Sequence, residues 1–133
     1  MKSILTSLMI TMCMVFAHPV LADDTAPGIY VVEFHADWCG SCKVLGPEID
    51  KARGKAGLDD SLALFVTLDL TDATKRHQSA LLANALGLGE FFQQNAGKTG
   101  FAVLVDAKTG EVKGKLTKDM NANAIIESIQ SFI

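Results

Sequence analysis

Proline is scarce in this chain and confined to its first part, with three residues in 133 and none after Pro47. No repeat, low-complexity tract or linker composition accompanies it, which excludes collagen-like and Pro-rich spacer segments. Basic residues are also few. Lys and Arg total 12 against 15 Asp and Glu, and no cluster is longer than Lys75-Arg76. A chain of this charge has no electrostatic footprint for nucleic acid or an anionic membrane surface, so neither is expected as a partner. Cysteine is sparse and odd in number: three, too few for a disulfide-dense scaffold and one too many for complete pairing where disulfides persist. Apolar side chains are plentiful, at 49% of residues. At this length they suffice for one domain with a substantial core.

The first segment reads as an address. Met1-Lys2 gives a positive start, an apolar stretch runs from Ile4 to Ala17, and Val20-Leu21-Ala22 supplies small residues at the −3 and −1 positions of a cleavage site. These are the three parts of a secretory signal peptide, so residues 1–22 are expected to be removed after Ala22 and the protein to be periplasmic or secreted. An uncleaved membrane anchor is the alternative. It is disfavoured because a spanning helix needs about 20 apolar residues. Cleavage discards Cys13 and leaves an acidic chain with one pair, Cys39 and Cys42. Residues 23–28 then form a short N-terminal extension and residues 29–133 the domain.

Ile29 to Ala36 is β-branched and aromatic on both alternating faces, which predicts a central strand covered on both sides. A helix is expected from about Cys39 to Ala52, kinked at Gly46-Pro47 and ended by Gly54 and Gly57. Leu62 to Leu70 predicts a second buried strand. The next helix is capped by Thr71 or Asp72, carries Ala73, His77, Leu81 and Ala85 at four-residue spacing, and stops at Gly87. Glu90 to Gln94 suggests one more short helical turn. Phe101 to Val105 and Val112 to Leu116 read as a hairpin around Lys108-Thr109-Gly110. A last helix, capped by Asn121 or Asn123, shows the apolar stripe Ile125, Ile126, Ile129, Phe132 and Ile133. A helix between the first two strands implies a right-handed parallel βαβ unit, to which the hairpin adds antiparallel strands. The expected fold class is therefore α/β, a three-layer α/β/α domain with a mixed central sheet and the order βαβαββα.

The chemistry concentrates in Trp38-Cys39-Gly40-Ser41-Cys42-Lys43. Two cysteines three apart at a helix start lie on one face, with Cβ atoms roughly 5–6 Å apart and within reach of a disulfide. Cys39 is at the end where unsatisfied N–H groups and the helix dipole stabilise thiolate over thiol. It is the better nucleophile, and Cys42, deeper in the helix, is the resolving thiol. Gly40 and Ser41 are small enough to leave the Cys39 sulfur accessible. Glu33 stands in the middle of the apolar strand, where an ionisable group is costly to bury and desolvation raises its pKa. A glutamate reaching solvent at the strand end is the alternative. His35 reads as a rim histidine facing solvent, with tuning of the thiolate as the other reading. His77 reads as a surface residue.

The run from Val31 to Lys43, with Trp38 before the pair, Lys43 after it and Pro47 five residues past Cys42, resembles the thioredoxin superfamily, and the element order from Ile29 onward agrees with it. The resemblance implies that Cys39 attacks a substrate disulfide, that a mixed disulfide forms, and that Cys42 resolves it. It implies for Glu33 the role of a buried acid exchanging a proton with Cys42. It places Trp38, Gly40, Ser41, Thr99, Gly100 and Phe101 at the substrate-binding rim. Protein disulfides and thiols are then the partners, with a membrane electron donor supplying a reductase in an oxidising compartment, a monomer as the working form and no cofactor.

The sequence departs from that pattern where thioredoxins carry a cis-proline facing the cysteines. Gly100, or Phe101, takes its place, and a trans, more flexible loop is expected because a cis bond without proline costs about 2.5–4 kcal/mol. The segment from Thr71 to Thr99 looks longer than in plain thioredoxins, and a strand and helix before the first core strand are missing. Competing functions are a disulfide oxidant or isomerase and a non-enzymatic Cu(I) or Zn module using the same pair. A closed zinc site needs four ligands, however, and beyond acidic groups only His35 and His77 could join the cysteines.

Overall fold

The computed structural model describes residues 27–55, 58 and 62–133. Residues 1–22, expected to be a leader and containing Cys13, most of the 23–28 segment and Gly57 lie outside the described residues. Strand β1 (Ile29–His35) is central, as its two apolar faces predict. It pairs in parallel with β2 (Ala63–Asp69) and antiparallel with β3 (Phe101–Asp106), and β4 (Val112–Thr117) closes the hairpin, giving the order β2-β1-β3-β4. Helix α1 (Gly40–Arg53) joins β1 to β2. Helices α2 (Ala73–Ala85) and α3 (Gly89–Asn95) follow β2, and α4 (Ala122–Gln130) ends the fold.

The period of two along β1 divides the core into two layers. Ile29 and Val31 face α1 and α4, where they pack with Leu45, Ile49, Ile125 and Ile129. Val32 and Phe34 face α2 and α3, where they meet Ala83, Leu88, Phe92 and Phe101. Among the described residues this is a four-stranded mixed sheet between two helical layers, the expected three-layer α/β/α architecture.

Local signals explain most element ends. Asp72 caps α2 by accepting from the Lys75 N–H, and Asn121 caps α4 by accepting from the Ala124 N–H. Helix α2 stops where Gly87 takes φ 75°, with Leu88 N–H donating to Ala83 and Gly87 N–H to Asn84, a Schellman arrangement. Pro47 lies inside α1, which runs on to Arg53 as one helix.

The Ala73, His77, Leu81, Ala85 row of α2 faces outward, in agreement with the surface reading of His77, and Ser79 and Ala83 are the residues buried against the sheet. Small side chains let α2 approach closely, and the Ser79 hydroxyl is satisfied by donating to the Asp69 carbonyl at 2.9 Å. One sequence expectation is corrected: in α4 the apolar stripe ends at Ile129, because the helix stops at Gln130 and leaves Phe132 and Ile133 exposed.

Candidate active site

Cys39 and Cys42 are joined as a disulfide across the first turn of α1, with Cα atoms 5.3 Å apart. Beyond β1, the Cys39 N–H donates to the Ala36 carbonyl at 3.0 Å. Thr71 fastens the shoulder of this turn, accepting from the Asp37 N–H at 3.0 Å through its hydroxyl and from the Trp38 indole at 3.1 Å through its carbonyl. The turn makes Cys39 the N-cap of α1, and its sulfur accepts the Cys42 N–H at 3.1 Å. A sulfur in that position meets the positive end of the helix, which favours negative charge on Cys39 once the pair is reduced. Cys42 is the deeper partner, 1% exposed against 7% for Cys39. Its sulfur lies 3.7 Å from the Phe34 carbonyl oxygen, where the thiol formed on reduction would donate.

Cys39 is more covered than Gly40 and Ser41 alone would leave it, and the cover is Gly100. This residue has φ 84°, and its amide donates to the Phe34 carbonyl at 2.9 Å, so the loop before β3 is tied to β1. A Cβ at Gly100 would fall 2.5 Å from the Ser41 Cβ and 3.2 Å from the Cys39 sulfur. Both the backbone angle and the space therefore demand glycine here. Among the described residues there is no cis peptide bond, as expected, but the tether to Phe34 replaces the flexible loop foreseen from the sequence. Phe101 is also corrected. Its ring is buried, stacked on Phe34 at 4.7 Å between centroids and covered by the Lys115 ammonium at 4.5 Å, so its side chain is not offered to a substrate. Trp38, 62% exposed, Gly40, Ser41 and Thr99 remain at or near the surface around the pair.

Glu33 is in mid-strand and 8% exposed, which rules out a strand-end glutamate reaching solvent. Its side chain points toward α1, where Gly46 leaves room; a Cβ there would be 3.6 Å from Oε1. Glu33 and Cys42 share a cavity of about 440 Å³ also lined by His35, Lys43, Asp50 and Arg53. Burial pushes the Glu33 carboxyl above its ordinary value. His35 and, more weakly, Arg53 offset part of that shift, and Asp50 adds to it.

His35 is half-buried and touches two carboxylates, with Nδ1 3.5 Å from Glu33 Oε1 and Nε2 3.4 Å from Asp37 Oδ1. The simple rim reading is thereby corrected, since the ring connects the cavity to the surface. Farther out, Lys75 pairs with Asp69 at 2.8 Å and with Asp37 at 3.6 Å. Burial works to raise the Asp69 pKa, but the bonds from Lys75 and Thr71 outweigh it and hold the carboxyl down to about 2.

Sequence reasoning named Gly46 only as part of a helix kink and Thr71 only as a possible cap, and it did not name Asp50 or Arg53. Gly46, Asp50 and Arg53 recur along α1 at the helical spacing that faces Glu33, so a buried acid on β1 is the signal that could have found them. Among the described residues no group of three or more His, Cys, Asp or Glu is placed to hold a metal ion, and the cysteine pair alone supplies two ligands of a four-ligand site.

Comparison with known proteins agrees with this geometry. The family model described as Thioredoxin matches residues 16–130. Mitochondrial thioredoxin of Bos taurus is 34% identical over 58 residues, which cover 44% of this chain and 35% of that protein. Protein disulfide-isomerase of Oryctolagus cuniculus is 45% identical over 42 residues, covering 32% of this chain and 8% of that protein. The matched segments thus span about a third or less of these curated relatives. Among solved structures, StoA from Bacillus subtilis superposes with a TM-score of 0.51 at 23% identity, over 76% of this chain and 82% of that one, a likeness of fold. With the family model covering most of its length, this chain belongs to the thioredoxin family.

Proposed function

We propose that this protein is an extracytoplasmic thiol–disulfide oxidoreductase that reduces disulfides in other proteins. The observation that carries the reading is the placement of the pair: Cys39 caps α1 beside the surface, and Cys42 is buried next to the cavity that holds Glu33. In the reduced protein the Cys39 thiolate attacks one sulfur of a substrate disulfide. The substrate's other sulfur leaves as a thiolate and takes a proton from water. Glu33 removes the proton of Cys42, whose sulfur attacks Cys39, forming the intramolecular disulfide and expelling the second substrate thiolate. Two electrons pass to the substrate, and one S–S bond forms for the one that breaks.

Trp38, Gly40, Ser41, Thr99 and the Gly100 backbone form the rim a substrate would meet. The signal-peptide pattern of residues 1–22 supports export, and a reductase in an oxidising compartment needs electrons, for which a membrane donor is the partner proposed. The protein would act as a monomer on protein thiols and disulfides. The Trp38-Cys39-Gly40-Ser41-Cys42-Lys43 motif with a buried acid at Glu33 resembles the reducing branch of the family and supports that direction.

The reduction potential of the Cys39–Cys42 pair, measured by equilibration against glutathione or dithiothreitol, tests the direction. A value near about −270 mV is expected, and one near about −120 mV would reassign the protein as an oxidant. Turnover of a protein disulfide by metal-free protein, abolished in Cys39→Ser, tests the reaction itself. Undiminished turnover in that variant would end the reading.

A further inference from the structure

Glu33 Oε1 is buried and, among the described residues, is the side-chain polar atom left without a hydrogen-bond partner. A base in that position must exchange its proton with solvent once per cycle, and the apolar cluster on the opposite face of β1 offers no route, which leaves the charged cavity on the α1 side that His35 also lines. His35, two residues along and so on the same face of the strand, brings Nδ1 to 3.5 Å from Oε1. Its Nε2 is 3.4 Å from a carboxylate oxygen of Asp37, a side chain 68% exposed. One ring therefore reaches from the buried acid to a carboxylate in solvent, with a nitrogen facing each.

We propose that His35 is the proton port of Glu33, a positioning residue that carries the proton of the resolving step between the cavity and the surface at Asp37. The proposal rests on the oxidoreductase reading above. When Cys42 gives its proton to Glu33 and its electron pair to the new bond with Cys39, Glu33 is left protonated. To return to the carboxylate it passes this proton to Nδ1 of a neutral imidazole, while Nε2 releases its hydrogen to Asp37 or the surrounding water. The ring regains its first tautomer by exchange with water. The cycle consumes nothing else. Both gaps exceed a working hydrogen bond, about 2.7–3.2 Å, by a few tenths of an ångström. Such contacts commonly tighten when the reacting complex forms.

The charges around this path come from every packed element. From α1, Lys43, Asp50 and Arg53 line the cavity with Cys42. From β2, Thr67 stands opposite Glu33 and Asp69 opposite His35. From α2, Lys75 compensates Asp69 and Asp37 on the outer side of the ring. A ring that carries this proton should be visible in the pH profile of the resolving step.

Stopped-flow mixing of the reduced full-length chain with dithiobis-nitrobenzoate separates the steps. The first thionitrobenzoate released reports attack by Cys39 and the second reports resolution by Cys42. In His35→Phe the first phase is expected to stay at the wild-type rate. The second should slow about tenfold near neutral pH, less than the 10²–10⁴-fold contribution of a direct acid–base group. Free imidazole in the buffer should restore it. A second phase in His35→Phe that matches wild type at every pH, while Glu33→Gln is slow, overturns the port and leaves the oxidoreductase reading intact. Slowing that His35→Gln corrects and free imidazole does not also overturns it, since a hydrogen-bonding side chain would then suffice. If the wild type shows no second phase, the redox reading fails and the port with it.

Discussion

Phe34 and Glu33 are neighbours on the central strand, and their side chains enter opposite worlds. Phe34 is fully buried in an aromatic cluster, stacked on Phe101 at 4.7 Å and flanked by Phe92 at 6.1 Å and Phe91 edge-on at 5.9 Å. Glu33 faces a charged cavity and leaves an oxygen unpaired. The two faces divide the work of a thiol site. Tight aromatic packing holds the Phe34 backbone, whose carbonyl anchors the Gly100 loop at 2.9 Å and meets the Cys42 sulfur at 3.7 Å. The other face gives up packing, and the opening it leaves is the cavity that Glu33 shares with Cys42.

The sharpest way to break this contrast is to loosen the dry face. Phe34→Ala should lower unfolding free energy by about 3–5 kcal/mol, the usual cost of emptying a large aromatic site, as read by denaturant titration. A loss below about 1.5 kcal/mol would mean that the cluster collapses to fill the void and does not fix the strand. Glu33→Gln is expected to act in the opposite direction. A carboxyl whose pKa is raised by folding binds its proton more tightly in the native state, so wild-type stability falls as pH rises from the ordinary value of 4.5 through the raised one. The glutamine variant lacks that penalty. It should match the wild type at acidic pH and exceed it by about 1 kcal/mol in mild alkali, the low end of the cost of an unpaired buried polar group. A variant less stable than wild type at high pH would show that the carboxylate is well solvated after all.

These two residues were both legible from sequence, because alternation along a seven-residue strand assigns each to a face without knowledge of the partner. The helix caps at Asp72 and Asn121 were legible for a similar reason: the capping side chain and the amides it satisfies lie within three residues. Contacts that depend on distant segments were not. The Glu48 carboxylate accepts from the Ala122 N–H at 2.8 Å, joining α1 to the start of α4 across 74 residues, and nothing local to either residue announces it. Gly100 was flagged as the occupant of the proline position, but its approach to Ser41 and Cys39 is a fact of the assembled fold. The buried face of α2 was not legible, because Ser79 and Ala83 carry little hydrophobic signal, whereas the larger Leu81 points outward.

Gly46 offers the finest test of the contrast, since two effects of similar size oppose each other there. Glycine within a helix costs about 0.5–1 kcal/mol relative to alanine, and φ at Gly46 lies outside the left-handed region. A Cβ would meet Glu33 Oε1 at an ordinary contact distance of 3.6 Å, so space does not require glycine. What the missing methyl leaves is access to the carboxyl. Gly46→Ala should therefore be more stable than wild type by less than about 1 kcal/mol at acidic pH, where Glu33 is neutral and helix propensity acts alone. The gain should shrink as pH rises, because the methyl further desolvates the carboxylate and moves its pKa higher still. Unfolding titrations of both proteins across the pH range measure the difference. A gain constant with pH would show that Glu33 is solvated from another side, and would locate the open face of β1 away from α1.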